Sequence, residues 1–546
     1  MDARRFLLPL AAVAAVALFH GLALLAGDGG ILGPDSFMRL LRVERLWQDG
    51  GWFHPHSPLS NFPYGETLHW TRPLDALLIA GAWPLSAVLS VRDALAAWGT
   101  VLPPVLEAGA ITALAWGARP WLSRGAAAFL AFLFVIQGGT HSVFTLGRAD
   151  HHALIITLFT LALALVLRAL ARESETRGVR PALGAGLVTG VNLWVSVEAL
   201  YATAVLLAAL GLVWVVRGPA RPRLLPAFLY GLAGATAVAL VLERPPDAWL
   251  TVAQDRLSIV HLTLVVVLAA TWWLLARAAA TRAVTPGRRL ATGMAGAAIP
   301  AAVMAAVFPG FYAGPFSAMA PRLAPVWLSR VAELRPAWPH DWYSFGQFAW
   351  HVGHPLIGLG WAVYRLVRAP DAGERNAMGV CALAVAAFLP LAVLQVRWMP
   401  YVQVAALFPF VGLITAIMRW DGGFRRRDGR VVPLRSALVL ATILAPLGGL
   451  SLGLALAPAA ETHTDPHAAC DWAMVAPALA DAPAPPGRPG VLIADVFRGP
   501  EVLYRSGRPV VGTPYHRNTR GIIDSYRLMK GNAMPAVRRL MGRRRL

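Results

Sequence analysis

Several polar residues lie directly against an apolar run in the segment GRADHHALIITLF, residues 147–159. Asp150 and His152 belong to it, and a bilayer is a costly environment for such groups. Asp35 in GPDSFMRLLRVERLW and His69 in NFPYGETLHWTRPLD are similar candidates in earlier segments. Two carboxylates with one or two imidazoles are a reasonable ligand set for a divalent cation such as Mn²⁺, with Mg²⁺ less suited to imidazole. Each residue alone is more often a cap or a solvated interfacial group.

Other charged residues suggest contacts with a substrate. Arg397 in QVRWMPYV precedes an apolar run, where a permanently charged guanidinium suits a phosphate or extends to the membrane interface. Glu333 in SRVAELRPAW is either a functional carboxylate or half of an ion pair with Arg330 or Arg335. Glu198 in LWVSVEALY lies at a tight turn, as a cap or as part of a site wall. Arg148, the cation next to Asp150 along the chain, is a further substrate-binding candidate.

The composition indicates how these residues are positioned. The chain has 546 residues, of which 57% are hydrophobic and only 14% charged, and its mean hydropathy is +0.55. A soluble domain would carry about 25% charged residues. Runs of about 20 apolar residues recur, and each is long enough to cross a hydrocarbon core of about 30 Å. We therefore predict a polytopic α-helical membrane protein, whose N-terminal apolar run is a retained first helix.

We predict thirteen membrane spans and interpret one further apolar stretch, at residues 74–90, as a helix on the membrane surface. That stretch is interrupted by a Trp-Pro pair, and counting it as a span would invert every later loop. The spans are predicted at residues 6–26, 97–117, 122–140, 153–171, 182–197, 199–216, 224–243, 257–276, 289–308, 347–367, 376–394, 398–418 and 436–458.

The net charge of +20 is carried almost entirely by arginine. The arginines are concentrated in alternate short loops, as the positive-inside rule requires for a cytoplasmic N-terminus. The charge is therefore interpreted as topological, and no nucleic-acid partner is expected. This topology predicts that three segments lie on the outer side of the membrane, at residues 27–96, 309–346 and 459–546. Two cysteines, Cys381 in an apolar run and Cys470 in the tail, do not suggest a disulfide framework.

The chain is thus divided into a transmembrane domain, residues 1–458, and a soluble outer domain, residues 459–546. In the outer domain the strand-like runs GVLIADVF and RPVVGTPY flank GPEVLYRSG, a pattern that predicts a small α/β unit. The Pro/Ala-rich segment APALADAPAPPGRPG is predicted to be a linker.

These features, in this order, resemble the catalytic subunit of oligosaccharyltransferases, especially the archaeal branch of that GT-C family. The likeness extends through most of the chain and includes the aspartate after the first helix and the predicted plan of thirteen spans with a soluble outer domain. The motifs that carry it are FPYGETLHWTRPLDALLIA, WGTVLPPVLEA, LGRADHH, VAELRP and QVRW.

The resemblance implies a metal-dependent inverting glycosyltransferase that takes a glycan from a polyprenyl-(pyro)phosphate donor. It implies that Asp35, His69, Asp150 and His152 are metal ligands, that Asp35 also activates the acceptor, and that His151 is not a ligand. It also implies that Glu333 holds the acceptor and that Arg397 faces the acceptor or the lipid phosphate. Arg148, Glu198 and Trp70 are further expected substrate-binding residues.

One motif of the family is missing. The WWDYG sequence that reads the acceptor in oligosaccharyltransferases is replaced here by ADVFRGP. The acceptor is expected to be a protein first, and a lipid or a glycan second. Transfer of a single sugar to a lipid or polysaccharide is the alternative within the class. The alternatives outside the glycosyltransferase class are a lipid-linked glycan flippase and a partner-binding scaffold. A flippase predicts broken helices and charges near the bilayer midplane.

The preference for arginine over lysine suggests a GC-rich bacterial genome. The expected location is therefore the bacterial inner membrane, with the site and the outer domain facing the periplasm.

Overall fold

The computed structural model describes residues 7–25, 30–171, 175–218, 223–282, 285–317, 319–420, 423–425, 431–458, 472–484, 486–531 and 533–546, and the findings below concern these residues. Numbered along the chain, the helices are α1 (Leu7–Leu25), α2 (Pro34–Asp49), α3 (Pro73–Ala82), α4 (Val91–Ala118), α5 (Arg124–Val135), α6 (Gly138–Phe144), α7 (His151–Leu170), α8 (Glu175–Val195), α9 (Ala199–Arg217), α10 (Leu224–Glu243), α11 (Ile259–Arg282), α12 (Pro286–Val307), α13 (Trp342–Arg368), α14 (Ala372–Leu394), α15 (Met399–Arg419), α16 (Leu434–Leu456), α17 (Trp472–Asp481), α18 (Gly499–Ser506), α19 (Thr519–Lys530) and α20 (Met534–Arg544).

The polytopic membrane class is confirmed. Each predicted span coincides with a long helix or, in one case, with a pair of helices. By length and composition, nine helices in the described part of the chain can cross a membrane, and the bent pair α5–α6 would make a tenth. The count of thirteen stays a prediction. Residues 74–90 form α3 and a short 3-10 helix; a ten-residue helix is about 15 Å long and cannot cross the bilayer.

The predicted continuous span at 122–140 is wrong in shape, because α5 and α6 meet at an angle of 71°. Side chains from α13 and α15 stabilise the break. The Gln137 amide hydrogen-bonds to the His354 ring at 3.0 Å, and Gln403 accepts a hydrogen bond from the Thr140 amide at 3.0 Å. A broken helix is tolerated in a bilayer only where neighbouring groups satisfy the freed backbone. These partners are distant in sequence, so the hydropathy of the segment does not reveal the break.

Asp75 on α3 fixes the first loop (residues 30–90). Its carboxylate is fully buried and contacts three guanidinium groups: Arg39 at 2.9 Å, Arg42 at 3.1 Å and Arg72 at 2.9 Å. Burial alone would raise the pKa of Asp75, but the three arginines hold it below its usual value. The cluster joins α2 to α3 and thereby positions Asp35, which lies in the first turn of α2.

The tail (residues 472–546) is mostly helical. Its two strand-like runs meet, among the described residues, in one parallel bridge between Leu492 and Val510, with α18 between them. No extended sheet forms among the described residues of the tail, and the small α/β unit stays a prediction. The predicted linker is wrong in its first part, because APALAD belongs to α17, where its alanines and its leucine favour a helix and its proline does not.

The tail binds the first loop through two buried side chains. The fully buried Arg544 donates hydrogen bonds to the backbone oxygens of Asn61 and Phe62, at 3.0 and 2.8 Å. The hydroxyl of Thr513 lies 2.8 and 2.7 Å from the two carboxylate oxygens of Glu66. Glu66 belongs to a two-stranded hairpin of β1 (His56–Ser57) and β2 (Glu66–Thr67), which was not predicted. A second unpredicted hairpin, β3 (Gly423–Arg425) and β4 (Val431–Pro433), follows α15.

We expect the stability of the folded chain to fall as the pH rises through about 7, because Glu66 is buried. Burial raises its pKa from 4.5 to about 7, so the folded state favours the neutral carboxyl. The contribution is complete below the unfolded pKa and is lost above the folded one, with a size of about 3 kcal/mol at most. Thermal unfolding in detergent, followed between about pH 5 and pH 8, should show a weaker pH dependence for Glu66→Gln. Identical pH profiles for both proteins would contradict this expectation.

Candidate active site

Asp150 is the N-cap of α7, and its side chain accepts a hydrogen bond from the His152 amide at 2.9 Å. The preceding loop approaches its neighbours closely at Gly147, which has a φ of +77°. A Cβ atom there would lie 1.9 Å from the Gly30 carbonyl oxygen, so only glycine fits. The Gly147 amide also donates to the Thr100 carbonyl at 2.9 Å. The motif segment is therefore held between the first loop and α4.

Asp150, His151 and His152 form a group with the geometry of a metal site. One potential ligand atom of each lies within 4.8 Å of the others. Both ring nitrogens of His152 and Nδ1 of His151 are buried without a hydrogen-bond partner in the described part of the chain. A neutral imidazole has one nitrogen lone pair available, so these rings fit a cation. His151 was expected to be a non-ligand, and the geometry adds it as a candidate.

Asp35 faces the same group from the first turn of α2. It is in electrostatic contact with Asp150, Glu333, His152 and Arg148. Burial, followed by the negative charges of Asp150 and Glu333, raises the pKa of the Asp35 carboxyl to about 6. A divalent cation between these carboxylates would relieve the repulsion that raises it.

His69 is not brought into the group that the structure forms around Asp150. Its ring centroid lies 4.5 Å from that of His516 in the tail, and it is in electrostatic contact with His151. Burial and the neighbouring His516 hold the pKa of His69 well below its usual value. His516 in turn hydrogen-bonds to Asp255, in the loop between α10 and α11, at 2.8 Å. Ligation by His69 therefore stays a prediction.

Glu333 lies between two arginines. Its carboxylate is 4.0 Å from Arg148, 4.0 Å from Arg397 and 3.5 Å from the His152 ring. His152 and Arg397 hold its pKa below the usual value although burial would raise it. Arg148 also contacts Asp150 at 2.7 Å. Glu333 therefore faces the candidate site.

The stretch ADVFRGP, predicted from the sequence to replace the acceptor-reading motif, holds the loop that carries Glu333. Asp495 of this stretch accepts a hydrogen bond from Arg330 at 2.7 Å and another from the Phe497 amide at 3.0 Å. Arg330, considered from sequence as a possible partner of Glu333, is thus paired elsewhere.

Arg397 is anchored by Glu198. The two side chains are hydrogen-bonded, and the Tyr401 hydroxyl donates to the same carboxylate at 3.2 Å. The Arg397 side chain is only 16% exposed, which argues against extension to the membrane interface. Its Nε is buried and has no hydrogen-bond partner among the described residues, so it can bind an anion. Sequence reasoning missed Tyr401, although it lies one helical turn after Arg397.

Trp70 is packed between side chains of the first loop and of the tail. It is 5% exposed, the Arg39 guanidinium lies 4.2 Å from its ring centroid, and the Tyr515 ring lies 4.8 Å away. The Tyr515 hydroxyl is 3.4 Å from the Pro34 carbonyl oxygen at the start of α2. The described contacts of Trp70 are thus with protein groups, and substrate contact stays a prediction. Nothing in the local sequence indicated that Tyr515 or His516 would reach the first loop.

No protein-family model and no curated protein sequence matches this chain, but solved structures share its fold. It is similar to the oligosaccharyltransferase AglB from Archaeoglobus fulgidus in complex with an inhibitory peptide and a dolichol-phosphate. The TM-score is 0.73 at 15% identity, over 99% of this chain and 68% of that one. The A. fulgidus enzyme tethered to an acceptor peptide containing the NVT sequon gives 0.74 at 15% identity, over 100% and 68%.

The A. fulgidus enzyme in complex with Zn and sulfate has a TM-score of 0.69 at 15% identity, over 99% of this chain and 67% of that one. At this level of identity the likeness concerns the fold. The GT-C fold that the sequence motifs imply is therefore confirmed, and the chain has the architecture of this class of membrane glycosyltransferases.

Proposed function

We propose that this protein is a metal-dependent inverting glycosyltransferase, which moves a glycan from a polyprenyl-(pyro)phosphate donor to an acceptor. The observation that carries the proposal is the convergence of one group of residues at one end of a GT-C fold. Those residues are Asp35, Asp150, His152, Glu333 and Arg397, which come from four separate segments of the chain. The complexes of the A. fulgidus enzyme with dolichol-phosphate and with an acceptor peptide support the donor and acceptor classes.

The residues divide the chemistry between them. A cation held by Asp35, Asp150 and the histidines would neutralise the phosphate leaving group. Arg397, with its free Nε, holds the phosphate oxygens. The bond between the anomeric carbon and the phosphate oxygen breaks, and its electron pair leaves with the phosphate. The acceptor atom bonds to that carbon from the opposite face and passes its proton to Asp35, whose carboxyl faces Asp150, His152 and Glu333.

The remaining assignments follow from the sequence. The transmembrane domain is residues 1–458, the outer domain is 459–546, and the site faces the periplasm of a bacterial inner membrane. Mn²⁺ suits the mixed carboxylate and imidazole group better than Mg²⁺ does. The resemblance favours a protein acceptor. The missing WWDYG motif makes a lipid or a glycan the alternative.

Release of glycan from its lipid carrier tests the function. The purified protein is given lipid-linked glycans extracted from the host, with a host membrane extract as the source of acceptor. We expect a chelator to stop the release of glycan and Mn²⁺ to restore it. Asp35→Ala should abolish release. Asp49→Ala is the matched control, because Asp49 is an exposed carboxylate on the same helix and should be dispensable. Release that persists in the chelator or in Asp35→Ala would contradict the proposal.

A lipid-linked glycan flippase is the second candidate, favoured by two features. One is the broken pair α5–α6; the other is the buried pair of His20 and Glu107, 2.7 Å apart, on two of the predicted spans. Proteoliposomes loaded with labelled lipid-linked glycan separate the two functions. A flippase would move the label across the bilayer without releasing it from the carrier, and Asp35→Ala would leave that movement intact.

A further inference from the structure

One side chain of the tail, Tyr515, reaches the start of α2, where Asp35 lies. Its hydroxyl is 3.4 Å from the carbonyl oxygen of Pro34, the first residue of that helix, and forms a hydrogen bond with the Asp35 carboxyl. The whole Tyr515 residue is only 4% exposed. A buried hydroxyl from the far end of the chain therefore contacts a carboxyl of the candidate metal group.

The ring of Tyr515 is fixed by neighbours from the first loop and from the tail. Its centroid lies 4.8 Å from that of Trp70 in an edge-to-face arrangement. It shares a buried apolar cluster with Met38 of α2 and with Val502 and Val510 of the tail. A phenylalanine ring would fill the same space, so packing accounts for the ring and leaves the hydroxyl to be explained.

The backbone on both sides of Tyr515 is held as well. Thr513 hydrogen-bonds to Glu66 in the first loop, at 2.8 and 2.7 Å, and His516 hydrogen-bonds to Asp255, at 2.8 Å. The Tyr515 amide itself donates to the Thr513 carbonyl at 3.0 Å. Because both the ring and the backbone are fixed, the hydroxyl is directed at the start of α2.

A neutral hydroxyl suits a carboxylate that also binds a cation. Asp35 is in electrostatic contact with Asp150 and Glu333, and a hydroxyl donates to it without cancelling its negative charge. Arg148, by contrast, brings a positive charge to Asp150, at 2.7 Å. A carboxylate has two oxygens with about four lone-pair sites, so one oxygen can accept from Tyr515 while the other faces a cation.

We propose that Tyr515 is a positioning residue for metal binding, whose hydroxyl fixes the start of α2 and orients the Asp35 carboxyl towards a divalent cation. Loss of a side chain that hydrogen-bonds to a metal ligand typically lowers metal affinity or activity by about 10- to 100-fold. This inference rests on the proposed function and deepens it, because it gives the tail a part in the metal site.

Binding of Mn²⁺ to Tyr515→Phe tests the inference without any substrate, because the variant keeps the ring and loses the hydroxyl. The purified full-length protein is titrated with Mn²⁺ in detergent, and free Mn²⁺ is measured by electron paramagnetic resonance. We expect the Kd for Mn²⁺ to rise by about 10- to 100-fold in Tyr515→Phe. A Kd equal to that of the wild-type protein would overturn the inference.

Two further variants separate positioning from stability. Tyr526→Phe removes the hydroxyl of a tyrosine on α19 that is 39% exposed, and it should bind Mn²⁺ with the wild-type affinity. Val502→Ala weakens the apolar cluster around Tyr515, so it should lower the apparent melting temperature and change the Kd by no more than about twofold. An equal rise in Kd for Val502→Ala and Tyr515→Phe would overturn the inference, because lost packing would then explain both.

Steady-state release of glycan gives an independent measurement. In Tyr515→Phe the Mn²⁺ concentration for half-maximal release should rise by about 10- to 100-fold, and excess Mn²⁺ should restore most of the rate. The KM for the donor should stay near its wild-type value. A higher KM for the donor with an unchanged requirement for Mn²⁺ would overturn the inference, because the hydroxyl would then act on the substrate.

A failure of the proposed function would be separately visible, because no protein would then release glycan from the carrier. The Kd values for Mn²⁺ would still compare Tyr515→Phe with the wild-type protein and with Val502→Ala. A wild-type protein that binds no Mn²⁺ would overturn the inference itself.

Discussion

Asparagine in place of Asp150 should reduce glycan release by at least about 100-fold and leave the fold intact. Asn is as good an N-cap as Asp, so α7 keeps its first hydrogen bond, to the His152 amide. What disappears is the negative charge that faces the two histidines and Arg148. The measurement is the single-turnover rate of release from the lipid carrier, together with the apparent melting temperature in detergent.

Asp371→Asn is the matched control for this change. Asp371 is the N-cap of α14, where its side chain accepts a hydrogen bond from the Glu374 amide at 2.6 Å, and it is not part of the candidate site. The control should release glycan at the wild-type rate. Equal activity of Asp150→Asn and Asp371→Asn would show that the carboxylate of Asp150 has no catalytic role.

Asp75→Ala should cause the largest loss of stability, about 3–5 kcal/mol. Asp75 is fully buried, and its removal leaves Arg39, Arg42 and Arg72 without the carboxylate that pairs with all three. Breaking a buried ion pair by removing one partner is costly because the remaining charges stay desolvated. Since the cluster positions α2, activity through Asp35 should fall with stability. Chemical denaturation in detergent would measure the change.

The exposed Asp247 provides the comparison, because it makes no ion pair with the described residues. Asp247→Ala should change the free energy of unfolding by no more than about 0.5 kcal/mol. Similar midpoints for Asp75→Ala and Asp247→Ala would mean that the three arginines find other partners or water, and that the cluster does not fix the first loop.

Sequence periodicity and hydropathy predict most of the helical framework because each span buries its own backbone polar groups and is recognisable from composition alone. The break between α5 and α6 is different in origin. Gln137 and Thr140 are bonded to His354 and Gln403, which are 217 and 263 residues away. Such distant partners leave no signal in the segment that breaks.

In the candidate site, too, the sequence predicts some of the residues but not the contacts between distant segments. Asp150 and His152 were predictable because they lie in one short polar motif against an apolar run. Glu333 and Arg397 were recognised from motifs, but their separation by 4.0 Å is a property of the fold. The contacts of His69 with His516, and of His516 with Asp255, join three distant segments, so the sequence could suggest His69 and not its neighbours.

The contact between the tail and the first loop determines when the site is completed during synthesis. The Ser60 and Thr513 hydroxyls are 3.0 Å apart in space and 453 residues apart along the chain. At about 5–20 residues per second, the ribosome needs on the order of 20–90 s to make the intervening segment. During that interval the first loop lacks Thr513 and Tyr515, so Glu66 and the start of α2 are without their partners. The first loop therefore reaches these contacts only after the segment between Ser60 and Thr513 has been made.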